Sequence, residues 1–179
     1  MLSKRTCALT FWCQLLGSLL AAKDASAATA TFRNQCGFEI SVYDNHSSCQ
    51  LGAGGPVFAT SGCDRSINHS SVYRHGASSE ATLAEFSFGD NKVWYDLSTV
   101  PPGAMSCDSY EACAKQTGNE GFNVGVMIEP VSPNDDSAFA CSSLLCQFAE
   151  CPDASRFPSD ESKIRNCPEQ QHFNITFCP

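Results

Sequence analysis

Two carboxylates stand at matching points of two strand-like segments. In Leu83-Ala84-Glu85-Phe86-Ser87-Phe88 the residues Ala84, Phe86 and Phe88 alternate with Glu85 and Ser87; in Val93-Trp94-Tyr95-Asp96-Leu97, Val93, Tyr95 and Leu97 alternate with Trp94 and Asp96. A period of two sends each set to its own face of a strand. If the two segments pair, Glu85 and Asp96 emerge on the same side of the sheet. Glycoside hydrolysis uses such a pair, one carboxyl raised in pKa, about 5 Å apart for retention or about 6.5 to 9.5 Å for inversion. Without turnover, the same carboxylates can hold a sugar by accepting hydrogen bonds from its hydroxyls. Trp94 is a candidate stacking platform, since only one of Trp94 and Tyr95 can face outward. The plainer alternative is a solvated strand surface, because structural carboxylates far outnumber catalytic ones.

The same alternation recurs along the chain. Phe38, Ile40 and Val42 alternate with Glu39, Ser41 and Tyr43; Phe122, Val124, Val126 and Ile128 with Asn123 and Met127; and Phe173, Ile175 and Phe177 with Asn174 and Thr176. Turn-rich stretches separate these segments, at Gly52 to Pro56, Pro101-Pro102-Gly103 and Ser132 to Ser137. Helical periods long enough for βαβ crossovers are missing, so the expectation is an all-β antiparallel sandwich. Two short helices are expected beside it. One starts at Asp108, three residues before Glu111, and runs through Lys115; the other runs from Ser142 to Glu150.

The first 27 residues read as a signal peptide. Lys4 and Arg5 precede an apolar run from Cys7 to Ala22, and Ala25-Ser26-Ala27 supplies a small-x-small cleavage site. That run is short of the roughly 20 residues a membrane span needs, so no span is expected. Cleavage after Ala27 removes Cys7 and Cys13 and leaves ten cysteines in residues 28–179, which in an oxidising compartment predicts five disulfides. No Cys-x-x-Cys pair occurs, and His46, His69, His75 and His172 stand singly, so no metal or other cofactor is expected. Without Lys4, Arg5, Lys23 and Asp24, 8 Lys and Arg face 18 Asp and Glu, a net charge of -10. Such a surface is repelled by phosphate backbones, which argues against nucleic acid and leaves a neutral polysaccharide or a protein as partner. The length suits a single domain, 28–179, expected to be a monomer. Asn45-His46-Ser47, Asn68-His69-Ser70 and Asn174-Ile175-Thr176 are glycosylation sequons that secretion would make usable.

From Ala30-Thr31-Phe32-Arg33-Asn34-Gln35-Cys36 through Ala84-Glu85-Phe86, Gly121-Phe122-Asn123-Val124, Cys141, Cys146, Cys151-Pro152-Asp153-Ala154 and Cys167-Pro168 to Phe177-Cys178-Pro179, the landmarks resemble those of thaumatin-like proteins. The resemblance implies a thaumatin-like sandwich stapled by Cys36–Cys178, Cys141–Cys167 and Cys146–Cys151. Elimination and proximity then pair Cys49 with Cys63 and Cys107 with Cys113. The long cysteine-rich second domain of full-size members has no counterpart between Cys146 and Cys151, which resembles small members that fungi secrete. Carried over by resemblance, the acidic cleft of the family maps to Glu85, Asp96, Glu120 and Asp160, with the family's arginine replaced at Thr60 and Arg65 displaced from its place. The resemblance implies a secreted, cell-wall-associated glycoprotein that binds β-1,3-glucan and takes part in wall remodelling, including conidial germination. Its rivals are a weak endo-β-1,3-glucanase using Glu85 and Asp96, and a surface adhesin or antifungal defence-like protein that recognises another protein or a foreign membrane, with the carboxylates merely solvated.

Overall fold

The computed structural model of the protein describes residues 27–54, 63–131, 133 and 138–179. Residues 1–26, where a signal peptide is expected, Thr60 and most of the Ser132 to Ser137 turn lie outside the described residues. Twelve strands follow in chain order: β1 (Ala28–Asn34), β2 (Ile40–Tyr43), β3 (Ser48–Leu51), β4 (Arg65–Ile67), β5 (Ser71–His75), β6 (Leu83–Gly89), β7 (Lys92–Ser98), β8 (Val126–Pro130), β9 (Leu144–Cys146), β10 (Ala154–Ser155), β11 (Arg165–Pro168) and β12 (His172–Phe177). They form two sheets, one of five strands in the order β4-β1-β12-β8-β9, the other of seven with β10-β7-β6-β5-β2-β3 and β11 beside β7.

The all-β expectation holds, with two parallel pairings inside it. β1 runs parallel to β12, from Thr29 opposite His172 to Asn34 opposite Phe177, and β10 runs parallel to β7. A parallel pair needs a long crossover rather than a hairpin. Here β1 and β12 lie at opposite ends of the sequence, so nearly the whole chain is the connection.

The core lies between the sheets. Phe32, Phe173, Ile175 and Phe177 project from one sheet and Ala84, Phe86, Val93, Tyr95 and Leu97 from the other, all buried. Aromatic rings meet across the gap, with Phe86 5.2 Å and Tyr95 4.9 Å from Phe173. The Tyr95 hydroxyl, buried with its ring, donates to Ser142 O at 2.6 Å and accepts from Ser142 N at 2.9 Å, which removes the penalty of an unpaired polar atom.

Four local expectations change. Phe38 stands outside β2 and is 51% exposed, because Asn34 Nδ2 lies 2.8 to 3.0 Å from the carbonyls of Phe38, Leu51 and Gly52 and folds that loop around itself. Phe122 and Val124 precede β8 in irregular backbone, where Asn123 Oδ1 accepts from Val124 N and Thr82 N. Helix α1 (Tyr110–Thr117) is capped by Ser109, whose Oγ accepts from Ala112 N, and not by Asp108; Gly118, at φ 71°, ends it. The segment expected as a second helix forms β9, which pairs with β8, followed by a turn that Cys146–Cys151 closes.

Five disulfides join Cys36 to Cys178, Cys49 to Cys63, Cys107 to Cys113, Cys141 to Cys167 and Cys146 to Cys151. Cys141–Cys167 and Cys146–Cys151 bracket the segment from residue 152 to 166. That segment carries β10 and a 3-10 turn (Glu161–Lys163) and folds over one end of the seven-stranded sheet.

Candidate functional site

Glu85 and Asp96 lie directly opposite one another in the antiparallel β6–β7 pair. Opposed residues of such a pair hold their Cβ atoms about 4.5 to 5.5 Å apart. Phe86 and Tyr95 turn into the core, so both carboxyls leave on the outer face of the seven-stranded sheet. That face is not open here. Ser155 of β10, Phe157, Pro158 and Ile164 wall a cleft of about 290 Å³ that Glu85, Asp96 and Asp160 also line.

Burial under this wall raises both acids. Glu85 is pushed up to about 7, first by burial and then by the negative charge of Asp96. Asp96 is pushed up to about 6 by burial, against the pull of its hydrogen bond with Ser155. Ser155 Oγ lies 2.9 Å from Asp96 Oδ2 and 3.1 Å from the Asp160 carbonyl. One hydroxyl carries one proton. When Asp96 is neutral it can donate to Ser155 and Ser155 to Asp160 O; when Asp96 ionises, Ser155 donates to the carboxylate instead. Both protonation states of Asp96 can therefore be hydrogen-bonded.

Asp160 lines the cleft, but its carboxylate is already engaged. Oδ1 accepts from Ser162 Oγ at 3.0 Å, and Oδ2 accepts from Arg156 N and pairs with Arg156 Nε at 3.7 Å. It holds the wall in place rather than standing free for a ligand. Glu120 is exposed and lies outside the cleft lining. Its N–H donates to Glu80 Oε1 at 3.0 Å, on the loop that Gly121 presses against Thr99. Trp94 shares the outer face with the acid pair yet does not line the cleft. The Lys92 ammonium sits 5.5 Å from its ring centre and 5.4 Å from that of Phe139, and its Nε1 donates to Gly89 O.

Arg65 enters from a direction the sequence left unassigned. It lines a second hollow, of about 410 Å³, that Glu85 also borders, and pairs there with Asp44 at 3.6 Å. The hydrogen bonds of Ser47 and His46, together with Arg65, hold the Asp44 carboxyl below the usual range despite partial burial. The sequon asparagines are dispersed: Asn45 and Asn68 are exposed in turns, whereas Asn174 is half-buried in β12 between β1 and β8. Among the described residues no cluster of metal-ligating side chains occurs, and no helix is long and apolar enough to cross a membrane.

The architecture is that of a disulfide-stapled sandwich with an acidic cleft on one outer face. No family model matches the chain. It is 26% identical over 194 aligned residues to a thaumatin-like protein of Oryza sativa subsp. japonica, covering 92% of this chain and 93% of that one. It is 27% identical over 185 residues to the thaumatin-like pathogenesis-related protein 4 of Avena sativa, covering 88% and 91%. Among solved structures, the protein elicitor MoHrip2 from Magnaporthe oryzae shares the fold, with a TM-score of 0.52 at 16% identity over 86% of this chain and all of that one. Sandwich, disulfides and a likeness that runs from end to end of the aligned chains together make the chain similar to the thaumatin-like proteins in fold and in sequence.

Proposed function

We propose that this protein is secreted, binds β-1,3-glucan of a cell wall through the Glu85–Asp96 cleft and takes part in remodelling that wall, including during conidial germination. The observation that carries the reading is the directly opposed acid pair, recessed in a cleft and raised to about 7 and 6. Near pH 6.5 such a pair holds about one proton, so it offers a donor and an acceptor side by side. A sugar hydroxyl also donates and accepts, and an uncharged polymer avoids the repulsion that the acidic surface would impose on an anionic one. Secretion rests on cleavage after Ala27, which would leave Ala28 as the first residue of β1, and on five disulfides that need an oxidising compartment.

The raised pair also favours a second reading, weak endo-β-1,3-glucanase activity with Glu85 as general acid and Asp96 as nucleophile. Directly opposed carboxyls suit the short separation of a retaining mechanism. Against turnover stands the cleft itself, which at about 290 Å³ is small for gripping and distorting a sugar ring. Incubation of the mature protein with insoluble β-1,3-glucan, chitin and cellulose separates the readings. Retention on β-1,3-glucan without released reducing ends supports binding; released reducing ends establish hydrolysis. Retention on none of the polymers overturns both and favours a protein partner.

A further inference from the structure

We infer that the glycan lies across the strands of the seven-stranded sheet, in a groove longer than the acid cleft, with sugar subsites on both sides of the acid pair. The inference rests on the glucan reading above and adds the length and direction of the bound chain.

Glu85 borders two hollows at once: the cleft it shares with Asp96, and the hollow of about 410 Å³ whose far side carries Asp44, Arg65, His69 and Ser71. Pro158 is the corresponding junction on the other side. It lines the acid cleft and also a third hollow of about 570 Å³, where it faces Met105, Ala112 and Gln116 of α1 and the loop before it. The three hollows therefore adjoin in series. Their order follows the strand order: the β2–β3 turn, then β5, β6, β7 and β10, and finally α1. Neighbouring strands are about 4.8 Å apart, so the crossing from β5 to β10 alone covers roughly 14 Å. Both outer hollows lengthen the path.

The chemistry of the ends suits an uncharged polyol. In the hollow beyond Glu85, Arg65 and Asp44 neutralise one another, and the Ser66, Ser70 and Ser71 positions ring it with hydroxyl-bearing residues. In the hollow beyond Pro158, Met105 is 83% exposed and forms, with Pro158, an apolar surface for the C–H face of a ring, beside the Gln116 amide. The central acids would hold one or two sugars by hydrogen bonds, and the ends would bind only a chain long enough to reach them. A short oligosaccharide thus uses the centre alone.

The test is titration of the protein with soluble β-1,3-gluco-oligosaccharides from dimer to octamer, comparing wild type with His69→Ala at one end and Met105→Ala/Gln116→Ala at the other. Thermal melts check that each variant folds. The groove predicts affinity rising at least tenfold from dimer to hexamer, and a loss of threefold or more for the hexamer in each end variant, with dimer affinity unchanged. Equal affinity for dimer and hexamer, or end variants that bind the hexamer as wild type does, overturns the extended groove while leaving glucan binding at the acid pair intact. End variants that weaken dimer and hexamer alike overturn it too, because the substituted residues would then act through the centre. Absence of binding at every length in wild type overturns the glucan reading itself, and the groove with it.

Discussion

On the five-stranded sheet Glu129 of β8 stands opposite Asn174 of β12, half-buried on the outer face; on the seven-stranded sheet Glu85 stands opposite Asp96 in the same kind of antiparallel pair. The second position lies in a cleft. The strands are equivalent in register, so the difference comes from what covers them. Over Asp96 the segment from residue 154 to 164 folds back as a wall, hydrogen-bonded through Ser155 and Asp160 and fastened at its ends by Cys146–Cys151 and Cys141–Cys167. The lesson is that the unusual acidity here is made by a cover and its disulfides, and the sheet merely supplies the juxtaposition.

The largest expected effect separates a fastening of the five-stranded sheet from one beside α1. Cys36–Cys178 closes a sequence separation of 142 and ties the end of β1 to the end of β12, whereas Cys107–Cys113 closes a separation of 6 beside α1. In the loop-entropy account the first contributes about 5 kcal/mol and the second about 2 kcal/mol. Denaturant unfolding of the two double-alanine variants should show that order, and equal losses would break it. Next comes Gly121→Ala. A Cβ there would sit 1.9 Å from the Thr99 carbonyl oxygen, and the backbone must part to admit it, at a cost of about 3 kcal/mol. Thr99 directly precedes Val100, which lines the cleft, so this variant should lose stability and glucan retention together; a melt like that of wild type would contradict the contact.

The acid pair gives a smaller, pH-dependent effect. Glu85 rises from an ordinary 4.5 to about 7 and Asp96 from 3.8 to about 6. Between these limits the folded protein binds more protons than the unfolded chain. The stability this proton binding supplies is therefore full below about pH 4 and is lost as pH rises through 7. Glu85→Gln mimics the protonated acid, so it should match wild type near pH 4 and exceed it by on the order of 2 kcal/mol at pH 8. Parallel stability curves across that range would contradict burial as the cause. The smallest effect belongs to the wall. Asp160→Asn removes the charge paired with Arg156 and should cost about 1 kcal/mol while moving the Glu85 midpoint down, toward the ordinary carboxylate range. Carboxyl NMR titration reads that movement, and an unmoved midpoint would show that the wall does not depend on Asp160.

Much of the sheet framework was legible in the alternation of apolar residues. Phe86, Tyr95, Phe173 and Phe177 face the core because their neighbours in sequence are polar or face away, and this local rule also put Glu85 and Asp96 on one side of their sheet. The β1–β12 pairing has no local signal, since parallel partners at opposite ends of the chain are joined by no turn. Phe38 and Phe122 mislead because side-chain amides of Asn34 and Asn123 redirect the backbone next to them. In the site, the wall could not be read from period or spacing. It is a two-residue strand and a single 3-10 turn, and the rise in pKa of the two acids depends on where that segment lands. Glu120 and Asp160 show the same limit from both sides. One is adjacent to a landmark motif yet exposed away from the cleft, and the other is in the cleft with both oxygens engaged.

The central claim, that the covered acid pair is a glycan site while its counterpart on the other sheet is plain surface, is tested most directly by retention on insoluble β-1,3-glucan. Glu85→Gln/Asp96→Asn and Glu129→Gln each remove charge while keeping side-chain shape, and circular dichroism with thermal melts establishes that both fold. The account predicts that the double variant loses at least tenfold in retention and that Glu129→Gln binds as wild type does. Equal loss in both would mean that net charge governs binding, and undiminished retention by the double variant would contradict the site.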